Sequence, residues 1–208
     1  MSKIFRNFVR FLHTALKIIG ITYYDGTQSV VLKSDSSLLV NRKPLFVPED
    51  IHELQALPCY VLRVSRLGKC IASRFASRYY DAIAPGVDFF SADKLRVAQQ
   101  NGRPWTEAIA FENSLAVGEM RDTDNLPSDG CEWTVLRDEE RVHSLTDAWP
   151  EERRQLIDEA IAHVSALLTI RQGDLIYVAH RQTPWQLQAE DIVCCETNGN
   201  EQLYCKIK

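Results

Sequence analysis

Short runs of β-branched and aromatic residues, separated by tight turn signals, fill most of this 208-residue chain. The first runs cover 18–24, 29–32, 36–40 and 45–47, and turn signals follow the first, third and fourth of them. Asp25-Gly26 is typical of a hairpin turn because both residues tolerate positive φ. The intervals leave no room for helices between these strands. The pattern therefore predicts a mainly β (α+β) fold rather than alternating β and α units.

The remaining elements are predicted from periodicity. Strands are expected at 59–64, 175–179, 192–195 and 202–207, and short helices at 71–80 and 92–100, separated by 85–88. The mixed-charge run 137–143 is interpreted as an exposed connection. One long helix is predicted near 150–168, because Pro150 suits a first turn and Glu151 and Glu152 complement the helix dipole. Its apolar face is expected to contain Leu156, Ile157, Ala160, Ile161, Val164, Leu167 and Leu168.

Residues 1–16 are interpreted as an N-terminal amphipathic extension that precedes a single domain, 17–208. Apolar residues fall there at helical spacing, opposite Lys3, Arg6 and Arg10. No apolar run is long enough for a membrane span, and none resembles a signal peptide. Packing of this extension on the body or on a partner subunit is the favoured interpretation. Contact with a membrane surface is possible for such a helix but is not favoured.

Charge and cysteine content limit the class of protein. The formal net charge is -4, and no concentrated basic face is visible in the sequence, so nucleic acid is not expected as a partner. The six cysteines include no C-x-x-C pair, which argues against a zinc ribbon. Free thiols in a reducing compartment are the simplest interpretation. A cytoplasmic location is therefore predicted.

Several segments together resemble the fumarylacetoacetate hydrolase (FAH) family, which includes 2-hydroxyhepta-2,4-diene-1,7-dioate isomerases. They are KSDSSLL (33–39), PLFVP (44–48), VLRVSRLGK (61–69), RYYDAIAPGVDFFSADKL (78–95), NGRPWTEAIAFENSLAVG (101–118) and RQGDLIYV (171–178). The resemblance implies an FAH-type mixed β-roll with flanking short helices, and a homodimer. It also implies hydrolase, isomerase or decarboxylase chemistry on 2-oxo or β-diketo acids, assisted by magnesium or manganese.

The residues that this chemistry needs are mostly replaced. A hard divalent cation needs several carboxylates and open positions for substrate, and it then acts as a Lewis acid. By resemblance the family's two glutamates fall at Leu57 and Cys59. Its aspartate survives as Asp88. The family's arginine, glutamine, lysine and pocket threonine fall at Ala92, Leu95, Ile109 and His180.

We therefore interpret the chain as a hydrolase-like pseudoenzyme of the FAH fold, used for binding or as a partner subunit. No catalytic residue is assigned and no cofactor is expected. Asp88 is interpreted first as a helix or turn cap, with Asp93 as a similar candidate. The alternative is an enzyme with a metal site rebuilt around Asp88. Magnesium or manganese would be the metal, or zinc held by Cys59, Asp88 and His180; a Cys59–His180 nucleophile is a weaker form of the same idea.

Overall fold

The computed structural model of the chain describes residues 16–40, 42–123, 130–147 and 151–208, with side chains in the last range from residue 154. The predicted extension therefore lies outside the described residues, except for Leu16. No helix in these four ranges is long and apolar enough to cross a membrane. All six cysteines fall within them and are free thiols, as the sequence predicted.

The larger sheet has nine strands and is mixed. Its main path runs β2-β1-β10-β4-β5-β6-β3, while β11 pairs with β4 and β7 with β5. Two neighbouring pairs, β1 with β10 and β3 with β6, are parallel. The strands are β1 (Ile18–Thr22), β2 (Ser29–Lys33), β3 (Leu38–Val40), β4 (Leu54–Val64), β5 (Tyr80–Ser91), β6 (Leu115–Val117), β7 (Arg121–Asp122), β10 (Leu175–Ala179) and β11 (Trp185–Gln186).

The smaller sheet has four antiparallel strands in the order β13-β12-β8-β9. They are β8 (Cys131–Arg137), β9 (Glu140–Asp147), β12 (Ile192–Thr197) and β13 (Asn200–Lys206). The expectation that 137–143 is a connection is wrong, because these residues end β8, turn, and begin β9. β9 is an edge strand whose charged side chains point to solvent, so its amino-acid composition is that of a loop.

Three α-helices lie in the described part of the chain: α1 (Ala92–Gln100), α2 (Thr106–Ile109) and α3 (Glu151–Leu167). The prediction of α1 and of the long helix α3 is confirmed. The helix expected at 71–80 is shorter and of the 3-10 type, Ser73–Arg78. Another 3-10 turn covers Asp35–Ser37. The apolar face of α3 is narrower than predicted, since Leu156 and Leu167 are exposed.

The expectation that 85–88 separates two helices is also wrong, because these residues lie in the middle of β5. Pro85 and Gly86 are normally turn signals, but here Gly86 serves close packing. A Cβ atom at Gly86 would lie 2.6 Å from a methyl carbon of Val61 and 2.9 Å from Sγ of Cys59. Its carbonyl accepts a hydrogen bond of 3.1 Å from the indole of Trp133 in the other sheet.

The core consists of two clusters that lie on opposite faces of the large sheet. Alternate residues of β4 divide between them: Tyr60 and Leu62 join the first cluster, while Cys59 and Val61 join the second. The first cluster also contains Trp133 of the small sheet and the buried face of α3. The second cluster lies under α1 and α2 and contains the candidate site.

Candidate functional site

The pairing of β4 with β5 gathers most of the predicted site residues. Leu57 lies directly opposite Asp88, and Cys59 lies opposite Gly86. Directly opposed residues of antiparallel strands point to the same face, so the side chains of Leu57, Cys59 and Asp88 share one cluster. All three are completely buried. The three positions at which the resemblance places the family's carboxylates are therefore neighbours, and Asp88 is the carboxylate among them.

A lysine that was not predicted as a site residue neutralises this carboxylate. Nζ of Lys33, at the end of β2, lies 2.7 Å from Oδ1 of Asp88, and neither side chain is exposed. The same ammonium group donates to the carbonyl oxygen of Ser114 at 2.9 Å and contacts Oγ of Ser114 at 3.0 Å and the carbonyl of Phe89 at 3.3 Å. Its three N–H groups are therefore fully used by protein acceptors.

Hydroxyl and aromatic side chains occupy the rest of this space. Thr22 donates from Oγ1 to Oδ2 of Asp88 at 3.2 Å. The phenol oxygens of Tyr24 and Tyr177 lie 3.4 Å apart, and the ring centroids of Tyr24 and Phe90 are 4.5 Å apart. Thr22 is the last residue of β1, and Tyr24 lies two residues beyond it. Here these two side chains are buried and part of the core.

The ionisation of the cluster is set by burial and by Asp88. Burial lowers the pKa of Lys33, and the charge of Asp88 opposes that effect. Burial raises the pKa of Tyr24, Tyr177 and Cys59, and the charge of Asp88 raises each of them further. The arrangement is one ion pair surrounded by neutral phenols and a neutral thiol.

The two short helices cover this cluster. Ser91 caps the start of α1 by accepting from the backbone N–H of Lys94. Leu95 and Ile109 are buried in the cluster, and Ala92 packs against it partly buried. The side chains at these positions therefore contribute apolar groups to the cluster. Trp105 also packs there.

The predicted capping roles of two aspartates have different outcomes. Asp88 does not cap a helix or turn, because it lies within β5 and is held by Lys33. Asp93 does stabilise local structure at the start of α1. It accepts from Oγ of Ser91 at 2.5 Å and from the backbone N–H groups of His52 and Glu53 at 3.4 Å.

The structure does not bring His180 to this cluster. Its ring lies 5.5 Å from the ring of Tyr60 and 5.0 Å from that of Trp133, and both belong to the first core cluster. Nε2 of His180 lies 3.7 Å from Oδ2 of Asp147. A zinc site or a nucleophile that combines His180 with Cys59 is therefore not assembled. His180 follows the end of β10, and its ring packs against residues of the first cluster, on the other face of the large sheet.

The residues of the cluster do not fit a magnesium or manganese ion. Such an ion keeps its water shell unless several hard oxygen ligands compete. Here Leu57 has no donor atom, burial keeps the Cys59 thiol neutral, and Asp88 is already bound by an ammonium group. Across the four described ranges, no three His, Cys, Asp or Glu side chains are placed to hold a metal.

Solved structures of FAH-family proteins share this architecture, so the chain has the FAH-family fold. A protein of Yersinia pestis CO92 assigned to the FAH family superposes with a TM-score of 0.78, at 16% identity over 93% of each chain. Fumarylpyruvate hydrolase from Pseudomonas aeruginosa, solved with Mn²⁺ and pyruvate, gives 0.76 at 15% identity, over 93% of this chain and 88% of that one. 2-Hydroxyhepta-2,4-diene-1,7-dioate isomerase from Mycobacterium marinum gives 0.71 at 15% identity, over 94% and 75%.

At the level of sequence the distance is large. No family model matches the chain, and no curated protein matches it. The shared property is therefore the fold. The residues of the cluster have to be interpreted from their own geometry.

Proposed function

We propose that this chain is a non-catalytic protein of the FAH fold, which acts by binding a partner rather than by turning over 2-oxo acids. The supporting observation is the ion pair of Lys33 and Asp88. An ammonium group lies beside the aspartate that corresponds to the family's metal ligand, and it is held there by protein acceptors. It supplies positive charge, but it offers no open coordination positions to a substrate.

The buried side chains that fill the space beside Asp88 support the same proposal. Hydrolysis or isomerisation of a dianionic substrate needs space, solvated cations and a Lewis acid at the reacting oxygens. In this cluster Leu57, Leu95 and Ile109 are apolar and buried, and Tyr177 is completely buried beside them. Such surroundings disfavour entry of a charged ligand, because its desolvation would not be compensated.

The proposal includes a cytoplasmic homodimer. The free thiols support the location, and the resemblance in fold supports the assembly. Size-exclusion chromatography with light scattering would test the assembly, and a monomer at all concentrations would contradict it.

The deciding experiment is a Mn²⁺ titration followed by electron paramagnetic resonance, together with an assay of fumarylpyruvate hydrolysis. The wild-type chain would be compared with Asp88→Asn, and the Pseudomonas aeruginosa enzyme would serve as the positive control. We expect no stoichiometric Mn²⁺ binding by wild type or variant, and a reaction rate equal to that without protein. Stoichiometric Mn²⁺ or turnover in the wild type that is lost in Asp88→Asn would overturn the proposal and establish a rebuilt metal site.

A further inference from the structure

A basic and partly apolar surface lies on the opposite side of the fold from the helices α1 and α2. It consists of residues 65–78, in the connection from β4 to β5, and of residues 166–171, which include the last two residues of α3 and the segment after it. We call it the basic patch. Its exposed cationic residues are Arg66, Lys69, Arg74, Arg78 and Arg171. Its exposed apolar side chains are Leu67, Phe75 and Leu167.

Backbone pairing holds the two segments of the basic patch side by side. Gly68 and Ile170 exchange hydrogen bonds, with N–O distances of 3.0 and 2.9 Å. The N–H of Cys70 donates to the carbonyl of Ser165 at 2.9 Å. Lys69 donates from Nζ to the carbonyl of Ala166 at 3.0 Å, at the end of α3. The surface is therefore a defined part of the fold.

The apolar side chains of the basic patch are exposed to solvent. Leu67 is 68% exposed and Leu167 is 56% exposed, on either side of the Gly68–Ile170 pairing. The ring of Phe75 has the guanidinium groups of Arg74 and Arg78 at 4.8 and 5.0 Å from its centroid. Apolar groups flanked by cations in this way are typical of surfaces that insert shallowly into a lipid interface.

The charge of the basic patch differs from that of the whole chain. Residues 65–78 contain four of the 24 lysines and arginines and none of the 28 acidic residues, although the net charge of the chain is -4. Two acidic residues near the patch pair with cations outside it. Asp81 lies 2.7 Å from Arg63, and Asp174 lies 2.6 Å from Lys17. Residues 65–78 therefore carry four positive charges and no negative charge, opposite in sign to the chain as a whole.

The start of β1 lies beside this surface. The carbonyl of Lys17 accepts from the N–H of Leu175 at 3.0 Å, and the N–H of Gly173 donates to Val64, which precedes the patch, at 2.8 Å. Lys17 therefore lies at the same end of the large sheet as the basic patch.

We propose that the basic patch docks the protein onto an anionic lipid bilayer, whether or not the fold catalyses a reaction. Cations near an anionic membrane surface each add to binding, and the exposed leucines give the surface an apolar contribution. An acidic protein or a nucleic acid would use the cations but would leave Leu67 and Leu167 without an apolar environment. A bilayer provides both.

Flotation with phosphatidylcholine vesicles, with and without phosphatidylserine, tests the proposal on the full chain. We expect binding to the anionic vesicles only, weakening as NaCl is raised because salt screens exposed charges. The variant Arg66→Gln/Lys69→Gln/Arg74→Gln/Arg78→Gln should lose about fivefold in partition coefficient per charge, roughly several hundredfold in total. All four side chains are exposed, so this variant should fold normally.

Two further variants show which cations are responsible for vesicle binding. Lys43→Gln/Arg103→Gln/Arg181→Gln/Lys208→Gln removes the same charge from exposed positions elsewhere and should bind vesicles almost as wild type. Lys3→Gln/Arg6→Gln/Arg10→Gln should weaken binding less than the variant of the basic patch. The proposal is overturned if wild type ignores anionic vesicles at low salt, if it binds only DNA or another soluble polyanion, or if the N-terminal variant alone loses binding.

The exposed thiol of Cys70 gives a local readout within the basic patch. An environment-sensitive dye such as acrylodan on Cys70, in a Cys131→Ser background, should shift to shorter wavelength with phosphatidylserine vesicles. The shift should be absent when Leu67 and Leu167 are replaced by serine. An unchanged emission spectrum in vesicle-bound protein would show that another surface faces the membrane and would overturn the assignment.

Discussion

The ammonium nitrogen of Lys33 lies 2.7 Å from a carboxylate oxygen of Asp88, and both side chains are fully buried. Burial of two charges costs several kcal/mol per ion, and a close pair with additional hydrogen bonds offsets that cost. Lys33 meets this condition through Ser114 and Phe89, and Asp88 meets it through Thr22. The pair is therefore a unit in which each charge stabilises the other.

Removal of one partner should be much more damaging than removal of both. We expect Lys33→Met to lower the free energy of unfolding by about 3–5 kcal/mol, because Asp88 then remains as an uncompensated buried charge. Lys33→Met/Asp88→Leu should recover most of that loss. Urea denaturation of the single and double variants measures the coupling.

The exposed pair of Lys94 and Asp50, at 2.5 Å, is the matched control. Lys94→Met should cost much less than Lys33→Met, because that pair is solvated. If Lys33→Met costs as little as Lys94→Met, the buried pair is not the organising feature of the cluster.

The fold could be predicted from the sequence because its signals are spread over many residues. Dense turns indicated β structure, the capped amphipathic run after Pro150 indicated α3, and ordered segments from Lys33 onward resembled a family with this architecture. The positions Leu57, Cys59 and Asp88 also proved to be neighbours, because strand pairing preserves their register. Patterns of this kind survive the replacement of individual side chains.

The content of the site could not be predicted in the same way. In the sequence, Lys33 stood out only as part of a segment that resembles the family. It lies two residues after the buried Val31 in a short β run, so the two side chains point to the same face of the strand. A lysine at an inward-facing position of a strand is a signal for a buried ion pair. Its partner is 55 residues away in sequence, and β1, β10 and β4 lie between β2 and β5 in the strand order, so only the folded structure reveals the pair.

The cost in stability of substituting Gly20 should depend on the side chain at position 177. Gly20 and Tyr177 are paired across β1 and β10, and a Cβ atom at Gly20 would lie 2.1 Å from Cζ of Tyr177. Gly20→Ala should therefore cost about 1–3 kcal/mol or more through overpacking. In a Tyr177→Ala background the same change should cost almost nothing. Chemical denaturation of the four proteins measures the coupling, and equal costs in both backgrounds would contradict the argument.

The thiol of Cys131 should have an unusual pH dependence. A hydrogen bond from Cys195 lowers its pKa to about 7, against an ordinary value of 9.0, and Thr197 contributes in the same direction. A pKa depressed by folding means that the thiolate stabilises the fold fully above pH 9 and that this stabilisation is lost as pH falls through 7. Cys131→Ser should therefore destabilise more at pH 9 than at pH 6, by at most about 2–3 kcal/mol.

Alkylation by iodoacetamide, followed by mass spectrometry, checks the same thiol directly. The rate at Cys131 should rise with a midpoint near pH 7. Cys195→Ala removes the main hydrogen-bond donor and should move the midpoint toward the ordinary value. A midpoint that is unchanged by this variant would show that the thiolate is stabilised from elsewhere.

The most demanding prediction tests whether Lys33 keeps a metal ion away from Asp88. The backbone register places positions 57, 59 and 88 on one face, so Leu57→Glu/Cys59→Glu would gather three carboxylates there. With Lys33 retained, these buried charges should destabilise the fold, and Mn²⁺ should not restore it because the ammonium group repels the ion. With Lys33→Met added, the melting temperature should rise when Mn²⁺ is present. Equal responses to Mn²⁺ in the double and triple variants would mean that Lys33 does not exclude the metal, and the missing ligands alone would then account for the lost site.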